Sequence, residues 1–233
     1  MPAAEPPARY DGQPVAYYLP RGTCLWRVHR RPFSPRAFKT VMPGQTDVAP
    51  SVGGARFDAS PEHPYPFHYS ALDAETALAE TLLRDLPPGE TGMRRLPPLA
   101  VAARQLSGLA LTRDLALVSL ISGKDLAAVG QDAWLVTAAG RDYPTTRAWG
   151  HWLRGHAKWA HGLIWPSFRN PGGLAVMLFG DRCREDFGAG YERVLLHEVT
   201  ELAVDLDDEP GTRWLNKTLA PYRAEVAIRP RER

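Results

Sequence analysis

Apolar residues in this chain of 233 residues come in short runs that suit β-strands. The runs that predict strands lie at residues 23–29, 68–71, 99–106, 115–121, 162–165, 174–179 and 222–228. Helical spacing of apolar residues is seen between them, at residues 74–85, 124–135, 144–160 and 210–220, and residues 192–204 suit either element. Many short strands with interspersed helices predict an α+β fold, with mixed or antiparallel sheets in a single domain. No Gly-rich turn follows a strand and opens a helix, which argues against a Rossmann fingerprint and a P-loop.

The composition limits the classes of protein that fit. A formal net charge of +2 is too small to indicate binding to nucleic acid. No run of about 18 apolar residues predicts a membrane span, and the N-terminus lacks the basic and apolar regions of a secretory signal. Two cysteines, Cys24 and Cys183, set no disulfide framework. We therefore expect a cytoplasmic protein without membrane contact.

Two arginines are candidates for binding an anion. Arg27 lies in the first predicted strand, and Arg56 follows Gly53 and Gly54, whose small size lets backbone approach a ligand closely. A guanidinium binds phosphate through two parallel hydrogen bonds and does not lose its proton. Each arginine taken alone also fits a solvated position, Arg27 on the outer face of a strand and Arg56 in a surface turn.

Three further polar residues are candidates for the same site. Tyr69 ends a short strand and offers either a wall for a planar ring or a core residue with one hydrogen bond. Glu80 lies at the edge of the apolar stripe of its helix, so it either faces a cleft or pairs with Arg84 on a solvated face. Ser167 follows a predicted strand and is either a turn residue or a partner for ribose or phosphate. No Gly-x-Ser-x-Gly elbow surrounds Ser167, which argues against a hydrolase nucleophile.

Three histidines, His151, His156 and His161, do not predict a metal site. Their spacing of five residues turns each by about 140° from the last on a helix. Zinc-binding pairs on helices are instead separated by four residues. We expect no metal ligand set here.

The order of the candidate residues resembles that of one known family. Arg27, the Gly-Gly-x-Arg-Phe segment that contains Arg56, Tyr69 with Ser70, Glu80, and a Trp-Pro-Ser segment that ends at Ser167 resemble the RES-domain family. Val28 stands where members often have tyrosine, and Phe57 with Asp58 stands where they often have Trp-Asn. The resemblance covers residues 23–180. Residues 1–22, rich in Pro and Ala, are then expected to form a loose N-terminal arm, and residues 181–233 a C-terminal extension packed on the same domain.

The resemblance implies a fold similar to that of ADP-ribosyltransferase toxins and an enzyme that consumes NAD, often paired with an antitoxin that carries an Xre-like DNA-binding domain. It implies cleavage of the bond between nicotinamide and ribose, with phosphate, water or a protein side chain as acceptor. Arg27 and Arg56 then bind the diphosphate or an incoming phosphate, and Tyr69 packs against the nicotinamide or its ribose. Glu80 stabilises positive charge at the anomeric carbon, and Ser167 fixes the ribose or a phosphate. NAD is therefore the expected substrate, with no metal.

Two other functions stay open at this point. A non-enzymatic module would bind a nucleotide or RNA, with Trp149, Trp152 or Trp159 stacking on bases, although the tryptophan spacing also fits a buried helix face. An inactive RES-like protein would serve only as a protein partner. The observation that separates these from an enzyme is whether Glu80 faces the same cleft as Arg56 and Tyr69.

Overall fold

The computed structural model describes residues 5–9, 12–41 and 54–227. The strands found there are β1 (Ala16–Leu19), β2 (Cys24–Arg30), β3 (Phe67–Ala71), β4 (Arg94–Leu96), β5 (Arg104–Leu111), β6 (Leu115–Ser119), β7 (Gly162–Pro166), β8 (Leu174–Phe179), β9 (Leu196–Asp205) and β10 (Ala224–Val226). The α-helices are α1 (Ala74–Leu78), α2 (Gly123–Ala127), α3 (Trp134–Thr137), α4 (Tyr143–His156), α5 (Gly180–Phe187), α6 (Tyr191–Leu195) and α7 (Glu209–Leu219). A π-helical turn, Ala79–Leu83, continues α1 without a break.

Most of the strands join one sheet of eight strands within the described ranges, in the order β1-β6-β7-β8-β3-β2-β5-β9. Only β6 and β7 run parallel in this sheet, and its other neighbours are antiparallel. A small separate pair, β10 and β4, is parallel. The predicted α+β class, in a single domain with mixed sheets, is confirmed. No helix in the described ranges is long and apolar enough to cross a membrane.

The central strands are apolar along their whole length because both faces of the sheet are covered. In β8, Met177 and Phe179 belong to the apolar cluster that contains Trp149 and Leu153 of α4. Leu178, which points to the opposite face, belongs to a second cluster with residues of α5 and α6. A strand covered on both sides reads as a continuous apolar run, which is why the short runs in the sequence identified β7 and β8 correctly.

Several predicted elements differ from the observed ones. The strand expected at 99–106 begins later, as β5, because Pro98 opens a 3-10 turn over Pro98–Ala100. The helix expected at 124–135 is two helices, α2 and α3, because α2 ends at Ala127 and Gly130, with a left-handed φ of +70°, interrupts the chain before α3 begins at Trp134. Residues 192–204, which fit either element, contain both, because α6 ends at Leu195 and β9 begins at the next residue.

The two ends of the described chain also join the fold. Residues 16–19, expected to lie in a loose arm, form β1, which pairs antiparallel with β6, so that expectation is wrong there. After residue 181, β9 extends the large sheet by pairing with β5. Leu215 and Leu219 of α7 pack in the same apolar cluster as Leu78 and Leu83. The described residues on the C-terminal side therefore share the core.

A gap between two neighbouring strands positions the site. Strands β2 and β3 share one register pair in the described structure, Trp26 with Ala71, and then separate. The helix α1 follows β3 directly and contacts β2, so it lies beside this gap. The gap is therefore bounded by two strands and by one helix.

Candidate active site

A pocket of about 310 Å³ occupies the gap between β2 and β3. Four of the five residues predicted for the site line it, namely Arg27, Arg56, Tyr69 and Glu80. The fifth, Ser167, lies behind Glu80 and is 1% exposed. The structure thus brings together residues from a strand, a turn, a second strand, a helix and a loop.

Glu80 faces the pocket and not open solvent. The helix α1 starts at an Asp73 cap, because Asp73 accepts the N–H of Thr76 at 2.6 Å. Glu80 lies in the π-helical turn that follows, a feature often found at functional sites. Its Oε1 accepts the hydroxyl of Ser167 at 2.6 Å and the N–H of Phe168 at 3.1 Å. The other acid of this helix, Glu75, accepts the hydroxyl of Tyr222 at 3.2 Å and does not line the pocket.

The loop that follows β7 holds the carboxylate in place. Ser167, which donates to Glu80, accepts the N–H of Asn170 at 3.1 Å. Asn170 in turn donates its Nδ2 to Thr76 at 2.8 Å, and Thr76 donates to Asp73 at 2.7 Å. A continuous chain of hydrogen bonds therefore connects Glu80 to the start of its own helix.

The same loop also binds the far end of the π-helical turn. Arg169 donates two hydrogen bonds to the carbonyl of Arg84, at 2.8 and 3.1 Å. Close packing requires a glycine at position 173, because a Cβ there would lie 1.8 Å from the Oγ1 of Thr76. The loop thus contacts the helix on the N-terminal side of Glu80 at Thr76, at Glu80 itself, and on its C-terminal side at Arg84.

Arg27 is held by backbone carbonyls. Its Nη1 donates to Pro35 at 2.9 Å and to Ala37 at 2.6 Å. Burial lowers the pKa of Arg27 to about 10, which leaves it a cation at neutral pH. His68 bonds to the same Pro35 carbonyl through Nε2 at 3.0 Å, and burial next to Arg27 lowers the pKa of His68 well below its usual value. His68 is therefore neutral when Arg27 is charged.

Arg56 enters the pocket from the opposite side and is 5% exposed. Its Nη2 donates to the carbonyl of Ala138 at 3.3 Å, and the guanidinium lies 5.9 Å from the ring of Tyr143. The Nε has no hydrogen-bond partner among the residues that the structure describes. Gly54 before it has a φ of +100°, a left-handed conformation that favours glycine, while Gly53 lies outside the described residues.

Tyr69 forms part of the pocket wall and keeps a neutral hydroxyl. The hydroxyl oxygen accepts the N–H of Phe57 at 3.1 Å, and the ring packs edge-on against Trp165 at 6.1 Å between centroids. Burial, together with the carboxylate of Asp58, raises the pKa of Tyr69 well above its usual value. Asp58 is itself buried and lies 3.6 Å from the Nζ of Lys39. The ring therefore presents a rigid face to a planar ligand.

The electrostatic character of the pocket is cationic. Of the described residues that line it, five are basic and one, Glu80, is a carboxylate; the basic residues are Arg27, Lys39, Arg56, Arg84 and Arg104. Such a lining suits an anionic ligand that carries, or develops, positive charge at one point. The sequence indicated Trp165 only as part of the Trp-Pro-Ser segment, and it did not indicate that Lys39, Arg84, Arg104 or Tyr143 belongs to this site. No short motif contains these last four residues, and they meet only when the sheet forms.

The histidines and tryptophans singled out in the sequence lie elsewhere. His151 packs against His63 at 4.6 Å between centroids, His156 bonds to the carbonyl of Trp152, and His161 bonds to Asp186. Within the described ranges no group of three or more His, Cys, Asp or Glu residues is arranged to hold a metal. Trp149 is 1% exposed in the core. Trp152 is partly buried and donates Nε1 to the carbonyl of Pro7. Trp159, at 44% exposed, is thus the only one of these three described tryptophans with an open face.

Fold and site together define a class: a single α+β domain with a cationic cleft that contains one immobilised carboxylate. The RES domain family model matches residues 24–193. This protein belongs to the RES domain family, as the order of its polar residues indicated.

A solved structure shares the fold. The chain is similar to one in the crystal structure of the M. tuberculosis MbcT-MbcA toxin-antitoxin complex, with a TM-score of 0.50 and 16% sequence identity. The similarity covers 81% of this chain and 86% of the other. A search of curated proteins found no match.

Proposed function

We propose that this protein cleaves the bond between nicotinamide and ribose in NAD. The observation that carries the proposal is the carboxylate of Glu80, which two hydrogen bonds fix at the wall of a cationic pocket. A dinucleotide with a negative diphosphate and a cationic nicotinamide ring matches this distribution of charge. Membership of the RES family supports the same substrate, as does the similarity to ADP-ribosyltransferase toxins that the family resemblance implies.

Arg27 and Arg56 are assigned to the diphosphate, and Tyr69 to a face of the nicotinamide or its ribose. When the C1′–N bond breaks, its electron pair neutralises the pyridinium ring, and nicotinamide leaves as a neutral molecule. The ribose then resembles an oxocarbenium ion, which Glu80 stabilises, as carboxylates do in glycoside cleavage. Phosphate, water or a protein side chain completes the reaction by forming the new bond at C1′.

We assign Ser167 to Glu80 and not to the ribose. Its hydroxyl is buried, donates to Glu80 and accepts the N–H of Asn170. No donor is left over for a substrate hydroxyl. Ser167 is therefore a positioning residue, whose effect on catalysis passes through the carboxylate.

The biological role that fits best is the toxin of a toxin–antitoxin pair. The similar structure is described as a toxin-antitoxin complex, and the family resemblance implies an Xre-like antitoxin partner and a cytoplasmic location. Growth arrest on expression, relieved by co-expression of a protein from the neighbouring reading frame, is the expected result. Harmless expression of an active protein contradicts the toxin role and leaves NAD cleavage standing.

The enzymatic proposal is tested by nicotinamide release from NAD, measured with and without inorganic phosphate. Glu80→Gln keeps the size of the side chain but removes its charge, so we expect kcat to fall by about 100- to 1,000-fold with NAD still bound. Glu75→Gln, on the same helix but outside the pocket, is the matched control and leaves kcat unchanged. If the wild type releases no nicotinamide, or if Glu80→Gln equals the wild type, the assignment fails.

A further inference from the structure

We propose that Arg104 forms a second anion subsite in the same pocket, which binds a phosphate dianion in addition to the diphosphate of the dinucleotide. This inference rests on the proposed function for the identity of the first ligand. Two sources carry such a group: the 2′-phosphate of NADP, or free inorganic phosphate. Both present a dianion to a guanidinium, and the experiment separates them.

Arg104 is the pocket cation that lacks a partner. Arg27 donates to two carbonyls, Lys39 lies against Asp58, Arg56 donates to Ala138, and Arg84 pairs with Asp85 at 3.2 Å. In the described part of the chain, the guanidinium of Arg104 meets no acceptor and no carboxylate. A half-buried cation without a partner costs free energy that a bound anion would recover.

The nearest charge makes the position of Arg104 less favourable still. Arg30 on β2 stands directly opposite Arg104 on β5 in the strand register. Like charges at opposed positions of an antiparallel pair are destabilising. Burial, together with Arg30, lowers the pKa of Arg104. The acids nearest in sequence already have partners, since Asp205 contacts Arg31 and Gln105, and Asp207 contacts Arg31.

The position of Arg104 also separates it from the diphosphate subsite. Its register partner, Arg30, lies three residues beyond Arg27 along β2, so the backbones at these two positions are about 10 Å apart and their side chains leave opposite faces of the strand. The pocket is nevertheless continuous, because Arg27, Arg104 and Glu80 all line it. Arg84 lines it too, and adds a second positive charge. A ligand held at Arg27 can therefore carry, or meet, a further phosphate at Arg104.

Calorimetric titration of the full-length protein tests the subsite without requiring catalysis. The probes are ADP-ribose, ADP-ribose with a 2′-phosphate, and inorganic phosphate. Two charge-assisted hydrogen bonds to a dianion correspond to about 10- to 100-fold in affinity. We expect Arg104→Met to lose this factor for one of the two phosphate probes, and to bind ADP-ribose as the wild type does. Arg104→Lys, which keeps the charge, recovers part of the loss.

Arg30→Met is the matched control, because it removes the opposed charge from outside the pocket lining. It changes the affinity of either phosphate probe by less than about threefold, since an exposed charge acts weakly in water. Loss with 2′-phospho-ADP-ribose supports the NADP source, and loss with inorganic phosphate supports the free anion. The subsite is overturned if Arg104→Met and Arg30→Met behave alike with both probes.

Nicotinamide release from NAD, measured in parallel on the same samples, keeps the two proposals distinguishable. If the protein cleaves NAD but phosphate binding does not depend on Arg104, the subsite is overturned and the enzymatic proposal stands. Binding that depends on Arg104, with no cleavage, supports the subsite and contradicts the enzymatic proposal. Because Arg104→Met removes a repulsion, its melting temperature is expected to equal or exceed that of the wild type, which confirms that the variant is folded.

Discussion

The two sides of the pocket differ in how many hydrogen bonds their charged groups already make within the protein. On one side the Oε1 of Glu80 is held by Ser167 and Phe168 of the loop behind it, and no polar group of that hydrogen-bond chain is left buried without a partner in the described structure. On the other side, the guanidinium groups of Arg56 and Arg104 lack partners, in part or entirely, among the residues that the structure describes. A group fixed in advance stabilises charge that develops in a transition state without reorganising. Groups that lack partners in the free protein are instead the ones that a ligand can satisfy.

Arg56→Met gives the sharpest test of this contrast. Because the diphosphate loses charge-assisted hydrogen bonds, we expect NAD binding to weaken by about 100-fold. Stability is expected to move the other way, or not at all, since the variant removes a buried Nε that has no partner and keeps most of the side-chain volume. Calorimetry with NAD and thermal unfolding of the same samples give both values.

Arg141→Met, at a highly exposed arginine, is the control and changes neither quantity. If Arg56→Met clearly lowers the melting temperature as well as the affinity for NAD, the arginine is a structural residue. The contrast between the two sides of the pocket is then wrong.

The sequence identified the tethered side of the pocket better than the open side. Glu80 lies on a helix and Ser167 at the end of a strand, and each belongs to a short motif of the family. The family resemblance therefore predicted that both residues belong to one site. The π-helical turn was not visible in the sequence, because its residues keep an ordinary helical pattern. Asn170 and Arg169 were missed because their role consists of contacts to a distant helix, with Thr76 and the carbonyl of Arg84.

The open side depends on strand pairing, which local patterns do not determine. Arg104 was read as part of an apolar strand that ended near residue 106, and β5 in fact begins at Arg104. Its approach to the pocket requires the register that places it opposite Arg30. Lys39 reaches the pocket from the segment after β2, by bridging to Phe67. Long-range register of this kind appears only when the whole sheet is assembled.

Ser167→Ala tests the tethered side with a smaller expected effect. The substitution removes one of the two hydrogen bonds to Oε1 and leaves the N–H of Asn170 without its acceptor. We expect kcat to fall by about tenfold, because one charge-assisted hydrogen bond no longer orients the carboxylate. KM for NAD stays within about twofold, since Ser167 does not line the pocket.

Asn170→Ala separates positioning from direct contact in the same assay. It removes the bond to Thr76 but leaves the hydroxyl of Ser167 on Glu80. A smaller fall in kcat, again without a change in KM, is the expected result. A rise in KM for Ser167→Ala with unchanged kcat would show that the serine touches the substrate and not the carboxylate.

The smallest expected effect concerns pH and the surroundings of Arg27. Burial and the neighbouring Arg27 and His29 hold the pKa of His68 below its unfolded value, so the folded state favours the neutral imidazole. This contribution to the free energy of unfolding is fully present above the unfolded pKa of about 6.5. It is lost as the pH falls below that value, because His68 then binds a proton in the unfolded chain but stays neutral in the folded protein. Because of His68, we expect the free energy of unfolding to fall by about 1 kcal/mol when the pH is lowered from 7 to 5.5.

His68→Gln is expected to lower stability at every pH and to reduce this dependence of the unfolding free energy on pH. The pKa values of His29 and His151 are also lowered, but both residues are present in the variant and in the wild type, so their contributions cancel in the comparison. Urea unfolding of both proteins at the two pH values measures the difference. Equal slopes would mean that burial and the neighbouring Arg27 do not keep His68 neutral in the folded protein.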